Sequence, residues 1–230
     1  VNQNDAALAL FWRCDAVVFD LDGTLVQTLD GLHQALNDAL GAHGFAPVSA
    51  NLVRASMHGG FLGSVLAALE GRTVVQRHQL LVLETYRARY RELMLSRSFV
   101  YAQVREVLKA QQARGCRLAV CSNRDELLAN ELLQGVGLRV AFDAVVGLRE
   151  GSEPKPKPDL LLRSLRELGV VASRALMVGD SAADVGCAAA VGVPCLVFEG
   201  GYGADSLGPS VTSTRFSSYQ ELLLARPQSA

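Results

Sequence analysis

Lysine is almost missing from this 230-residue chain: only Lys109, Lys155 and Lys157 carry an ammonium group, and the formal net charge is −1. Without a basic excess the chain lacks the electrostatic footprint of a nucleic-acid binder. With half its residues apolar it is not a disordered, charge-rich segment either. Long apolar runs are missing too. The stretch Ala6 to Trp12 is too short to cross a bilayer, and it follows Asp5 where a signal peptide would carry positive charge. The chain is therefore expected to be cytoplasmic, with neither nucleic acid nor membrane as a partner. The absence of an initiator Met suggests a trimmed N-terminus. The five cysteines, Cys14, Cys116, Cys121, Cys187 and Cys195, are odd in number and lack the short paired spacings that hold zinc. They are expected to be reduced core thiols. No internal repeat or low-complexity tract occurs, and a polar end near Arg226 to Ala230 is expected to fray.

What is present reads as alternating secondary structure. The length allows one large α/β domain or a core with a small accessory domain. Ala16 to Phe19 is a short β-rich apolar run, the pattern of a strand buried on both faces. From Thr28 to about Ser96 the apolar positions recur at helical spacing, as at Leu32, Ala35, Leu36, Ala39 and Leu40, with breaks at Gly41, Gly44, Pro47 and His58-Gly59-Gly60. A helix is then predicted at Ala102 to Arg114, and strands at Arg117 to Cys121, Ala144 to Val146, Ala175 to Val178 and Cys195 to Phe198. Helices at Glu126 to Leu133, Asp159 to Leu168 and Ala182 to Val191 separate those strands. This alternation implies an α/β fold with a parallel sheet, which places function at the carboxyl ends of its strands.

Chemistry-bearing residues stand at those ends. The first strand runs into Asp20-Leu21-Asp22-Gly23-Thr24, two carboxylates two apart before a sharp turn. Close acids repel and call for a cation or a shared proton, although Asp-Gly also closes ordinary turns. The strand at Arg117 to Cys121 ends in Ser122-Asn123, placed either to bind an oxyanion at a helix start or to cap that helix, as Asp125 could also do. In Glu153-Pro154-Lys155-Pro156-Lys157-Pro158-Asp159 alternating prolines stiffen a mount for two of the three lysines. A solvated loop fits that segment as well. The fourth strand ends in Gly179-Asp180-Ser181 with Asp184 beyond, acids that suit a hard cation such as Mg²⁺ or a helix cap. Together they supply nucleophile, proton donor, anion binder, charge neutraliser and metal ligand, the parts of phosphoryl transfer.

These four motifs, in this order, resemble those of the haloacid-dehalogenase-like hydrolases. The resemblance spans nearly the whole chain. It implies a Rossmann-like core, residues 1–27 and 97–230, with an inserted all-helical cap at 28–96. It further implies that Asp20 attacks phosphorus and becomes an aspartyl phosphate, while Asp22 protonates the leaving oxygen and then activates water. Asp20, Asp180 and the backbone carbonyl of Asp22 would hold Mg²⁺, with Asp184 supporting that shell. Thr24, Ser122, Asn123 and Lys155 would bind the transferring phosphate, and Lys157 would be a solvated neighbour. Within the family the likeness is to phosphoglycolate phosphatases, from Asp22-Gly23-Thr24-Leu25-Val26 to Gly200-Gly201-Tyr202-Gly203. One departure touches substrate choice: Gln27-Thr28 stands where those enzymes usually have an Asp and a Ser or Thr.

The implied activity is Mg²⁺-dependent hydrolysis of a small phosphorylated metabolite, by a monomer or a dimer. A sugar phosphomutase similar to β-phosphoglucomutase would use the same motifs, differing in how the cap excludes water. Haloacid dehalogenation usually lacks the second acid, which is present here as Asp22. Phosphonate cleavage needs a cap lysine, and none precedes Lys109. A receiver-like signalling domain would be shorter and capless, and a non-catalytic phosphate binder would not need the whole acid set. Arg54 and His58 are candidate substrate readers, with a solvated helix face and a turn as the simpler alternatives.

Overall fold

The computed structural model describes residues 8–71, 75–203, 207 and 214–227, so the start of the Ala6 to Trp12 stretch and the last three tail residues lie outside it. The chain divides into two compact units, Gln27–Phe99 and the remainder.

The larger unit is built on a six-stranded sheet ordered β5-β4-β1-β6-β7-β8. Its strands are β1 (Ala16–Phe19), β4 (Arg117–Asp125), β5 (Ala144–Leu148), β6 (Ala175–Gly179), β7 (Cys195–Phe198) and β8 (Thr214–Phe216). Every neighbouring pair is parallel. All four β1 residues are fully buried, as expected of an apolar run in the centre of a parallel sheet. The core on one part of the sheet combines Val18, Ala119, Val146 and Met177 with Leu161 and Leu165, which recur on α7 (Asp159–Leu168). That helix starts and stops where its sequence pattern does, and Gly169 closes it at φ +67°. All five cysteines are free, and Cys195 alone is only half-buried.

The sheet is longer than the sequence pattern shows. β8 has three residues, Thr-Arg-Phe, too short and too polar for a periodicity to register. It joins through Phe198↔Phe216, whose rings lie 5.3 Å apart, and Tyr219 on the following helix (Tyr219–Leu224) packs on both. Tyr219 is fully buried and its Oη donates to the carbonyl of Thr24 at 2.9 Å.

The smaller unit contains α1 (Leu29–Ala42), α2 (Ala50–Ser56), α3 (Gly60–Leu69) and α4 (Gln76–Leu93). α1 buries Leu32, Ala35, Leu36, Ala39 and Leu40, one stripe at helical spacing, and packs mainly on α4. Ser49 caps α2 by accepting from the Leu52 amide at 3.3 Å. Phe61 meets Tyr86 and Tyr90 edge-on at 4.7 and 5.4 Å. Arg54 on α2 is half-buried, and residues 57–59 form a short 3₁₀ turn. The chain leaves and re-enters the larger unit through two short paired strands, β2 (Val26–Gln27) and β3 (Phe99–Val100). No described helix is long and apolar enough to cross a membrane.

Candidate active site

Three neighbouring strands, β4, β1 and β6, end on the same side of the sheet, and their last residues carry the site. Asp20 follows β1, and its amide still donates to the Val178 carbonyl of β6 at 2.8 Å, so the backbone of the acid is part of the sheet. The chain then folds back at once: the amides of Leu25 and Val26 both donate to Leu21 O at 3.0 Å. Gly23 adopts φ +83°, and a side chain there would come 2.6 Å from Asp180 Oδ2. Only glycine meets both demands.

Lys155 reaches into the centre of this arrangement. Its Nζ donates to Asp20 Oδ1 at 2.8 Å, Asp184 Oδ1 at 2.6 Å and the Cys121 carbonyl at 2.8 Å, so all three ammonium protons have partners. Burial favours the neutral amine, but the Asp184 and Asp20 carboxylates outweigh it and hold Lys155 well above the ordinary lysine range. Asp20 is pushed well above the usual carboxylate range by burial, against the pull of Lys155 and with added repulsion from Asp184 and Asp180.

Asp180 is gripped from two directions. Thr24 Oγ1 donates to its Oδ1 at 2.9 Å, and the amides of Tyr202 and Gly203 donate to Oδ2 at 2.6 and 3.2 Å. Burial, then repulsion from Asp184, raise it to about 6, while the bonds from Tyr202, Thr24 and Gly203 oppose that rise. Asp184 does two jobs. Its Oδ2 accepts from the Asp180 and Ser181 amides and from Ser181 Oγ, a capping box for α8 (Ala182–Val191), while Oδ1 faces Lys155. The cap role of that acid is therefore met by one oxygen, which leaves the other to face the lysine.

Carboxylate oxygens of Asp20, Asp180 and Asp184 lie within 4.8 Å of one another, all buried. Three hard oxygen donors at this spacing, two of them driven toward protonation by burial and then by mutual repulsion, fit a divalent cation that would relieve that repulsion. The Asp22 carboxylate is outside that cluster and pairs with Arg124 instead.

Several expected binders are placed differently. Ser122 and Asn123 lie within β4, which runs on to Asp125, and Asp125 caps α6 (Glu126–Gly135) by accepting from Leu127 and Leu128. Ser122 is buried and its Oγ accepts from the Arg124 amide at 3.1 Å. The Asn123 side chain clamps the Lys155 backbone, donating to its carbonyl at 3.0 Å and accepting from its amide at 2.7 Å. Thr24, expected to bind phosphate, directs its hydroxyl proton at Asp180, and a hydroxyl has one proton to give. Lys157 is exposed. Gln27 is half-buried, and its Oε1 is buried without a hydrogen-bond partner.

The family model described as haloacid dehalogenase-like hydrolase matches residues 14–192. The chain belongs to the haloacid dehalogenase-like hydrolases. Its relatives in that family include a phosphoglycolate phosphatase of Rhodospirillum rubrum, 38% identical over 90% of each chain. Another, from Mesorhizobium japonicum, is 34% identical over 81% of this chain and 83% of its own. A crystal structure of a predicted phosphoglycolate phosphatase from Haemophilus somnus superposes with a TM-score of 0.87 at 25% identity, covering 92% of this chain and 97% of the other. This hydrolase is a phosphatase, acting on phosphoric monoesters.

In the sequence the Gly200 to Gly203 loop stands out only by its likeness to phosphoglycolate phosphatases. In this hydrolase that loop holds Asp180 through two amides, and a Cβ on Gly201 would lie 2.3 Å from the Asp180 Cβ and 2.5 Å from Gly23 O. Gly201→Ala is expected to displace Asp180 and lower kcat by about 10²-fold, the usual cost of a misplacement near 1 Å. Steady-state kinetics beside an unchanged circular dichroism spectrum would check this. Arg124 was also passed over, because an arginine beside Ser122-Asn123 has no distinguishing pattern in the sequence.

Proposed function

We propose that the chain hydrolyses phosphoglycolate or a similarly small phosphorylated metabolite, in two steps through an aspartyl phosphate on Asp20. The observation that carries this reading is Lys155 bonded at once to Asp20 and Asp184 beside Asp180, a buried cation set among acids at the carboxyl end of the sheet. The substrate class is supported by the relatives of 38% and 34% identity, both phosphoglycolate phosphatases.

In the first step an Asp20 oxygen forms a bond to phosphorus as the ester oxygen departs, and Asp22 gives that oxygen its proton. In the second step Asp22 takes a proton from water, whose oxygen attacks the aspartyl phosphate, releasing phosphate and restoring Asp20. Lys155 offsets charge on both Asp20 and the incoming phosphoryl oxygens. Ser122 and the backbone amide of Asn123 are assigned to the phosphoryl oxygens, while the Asn123 side chain fixes the lysine loop and Thr24 orients Asp180. Asp20, Asp180 and the Asp22 carbonyl would hold Mg²⁺, with Asp184 behind them, and the ion would supply charge stabilisation for the transferring phosphoryl group. The helical unit, Gln27–Phe99, serves as the cap domain.

A screen of small phosphate esters, including phosphoglycolate and β-glucose 1-phosphate, tests the reading. Turnover is expected with Mg²⁺, to be lost on adding EDTA, and to be highest on phosphoglycolate among short carboxylated esters. Turnover unaffected by EDTA would remove the metal from the scheme. Isomerisation of β-glucose 1-phosphate without release of phosphate would replace hydrolysis by phosphoryl shuttling.

A further inference from the structure

A second buried cation lies at the strand ends, and the mechanism above gives it no work. The Arg124 guanidinium holds Asp22 by two atoms, Nε to Oδ2 at 3.1 Å and Nη2 to Oδ1 at 2.5 Å, and the two side chains are only 4% and 15% exposed. A two-point grip on both carboxylate oxygens fixes the direction of the acid as well as its distance, which one bond would not do. We propose that Arg124 is the positioning residue for Asp22, setting its carboxylate for proton transfer at the leaving oxygen. The inference rests on the role assigned to Asp22 under the proposed function.

The backbone is shaped to deliver that grip. β4 loses register with β5 between Cys121 and Asp125: Cys121 faces Val146 and Asp125 faces Leu148, so four steps on one strand match two on the other. Three residues, Ser122 to Arg124, thus stand against the single Gly147 near the carboxyl end of β4, where a bulge re-aims side chains. Two contacts fix the bulge. The Arg124 amide donates to Ser122 Oγ at 3.1 Å, and β5 approaches at Gly147, where a Cβ would lie 2.6 Å from the Arg124 carbonyl oxygen and 2.6 Å from Glu126 Cα. Glu126 Oε2 in turn accepts from the Gly147 amide at 3.1 Å. An arginine serving only to neutralise Asp22 would tolerate lysine, whereas a planar fork cannot be replaced by a point charge.

The leaving group separates positioning from general support of the fold. An alkyl phosphate expels a strongly basic alkoxide that needs the Asp22 proton, while p-nitrophenyl phosphate expels a phenolate that leaves without one. kcat/KM, which reports the first phosphoryl transfer, is to be measured for both esters in Asp22→Asn, Arg124→Met and Arg124→Lys, using the best alkyl ester from the screen. Asp22→Asn and Arg124→Met are expected to lose about 10²-fold on the alkyl ester and under about 10-fold on the aryl ester, with Arg124→Lys selective in the same direction. Equal losses on both esters in the Arg124 variants, while Asp22→Asn remains selective, would overturn the positioning role alone. An Asp22→Asn variant that slows both esters alike overturns the role of Asp22 and this inference with it. If Arg124→Met does not fold, the same ratio in Arg124→Lys decides.

Discussion

Asp20→Asn is expected to abolish phosphate-ester turnover, with a loss on the order of 10⁴-fold or more in kcat, as removal of a nucleophile does in other covalent mechanisms. The change is nearly isosteric, so the Lys155 contact persists as a bond from Nζ to the amide oxygen and the fold should survive. Removing the charge also relieves crowding, because Asp20 sits with Asp180 and Asp184 in a buried cluster. The inactive variant should therefore be no less stable than the parent. A malachite-green phosphate assay with thermal melts of both proteins measures the two quantities. Residual turnover within about 10-fold of the parent would mean that another atom attacks phosphorus.

Lys155→Met carries the second large effect, on stability as well as on rate. The lysine is 3% exposed and its ammonium donates to two of three clustered carboxylates, the one buried positive charge set against them among the described residues. Breaking a buried ion pair from one side leaves an uncompensated charge and costs about 3–5 kcal/mol. At about 2–4 °C per kcal/mol for a domain of this size, the melting temperature should drop by roughly 10 °C. Activity should fall below detection in the same sample. Lys157→Met, two residues on and exposed, is the control and should change neither quantity. A Lys155→Met protein that melts with the parent would show that the acids do not depend on that ammonium for their burial.

The core of the sheet was legible because its strands are apolar runs bounded by polar residues, and helices such as Asp159–Leu168 and Ala182–Val191 announce both of their ends. Asp20, Lys155, Asp180 and Asp184 were legible as residues of the right chemistry at strand ends, and the structure gathers all four. Their division of labour was not. Whether the Thr24 hydroxyl serves a phosphate or an aspartate depends on which partner lies within bond length, and Asp180 is 156 residues away in sequence. Ser122 and Asn123 were expected beyond their strand, since nothing in the sequence marks a slip in register that lengthens β4 to Asp125. Arg124 escaped notice for the same reason: its pairing with Asp22 spans 102 residues and exists only in the folded sheet.

The bond from Tyr219 to the Thr24 carbonyl joins residues 195 apart. During synthesis the loop that carries Asp20 leaves the ribosome long before Tyr219, which makes one of its fixed points. The sheet can begin to pair from its middle strands while translation continues, but the loop that carries Asp20 and Asp22 reaches its final constraint only after Tyr219 has emerged. A chain cut short before β8 would keep the bonds from Thr24 to Asp180 and from Arg124 to Asp22 but lack the one that Tyr219 makes to the Thr24 carbonyl.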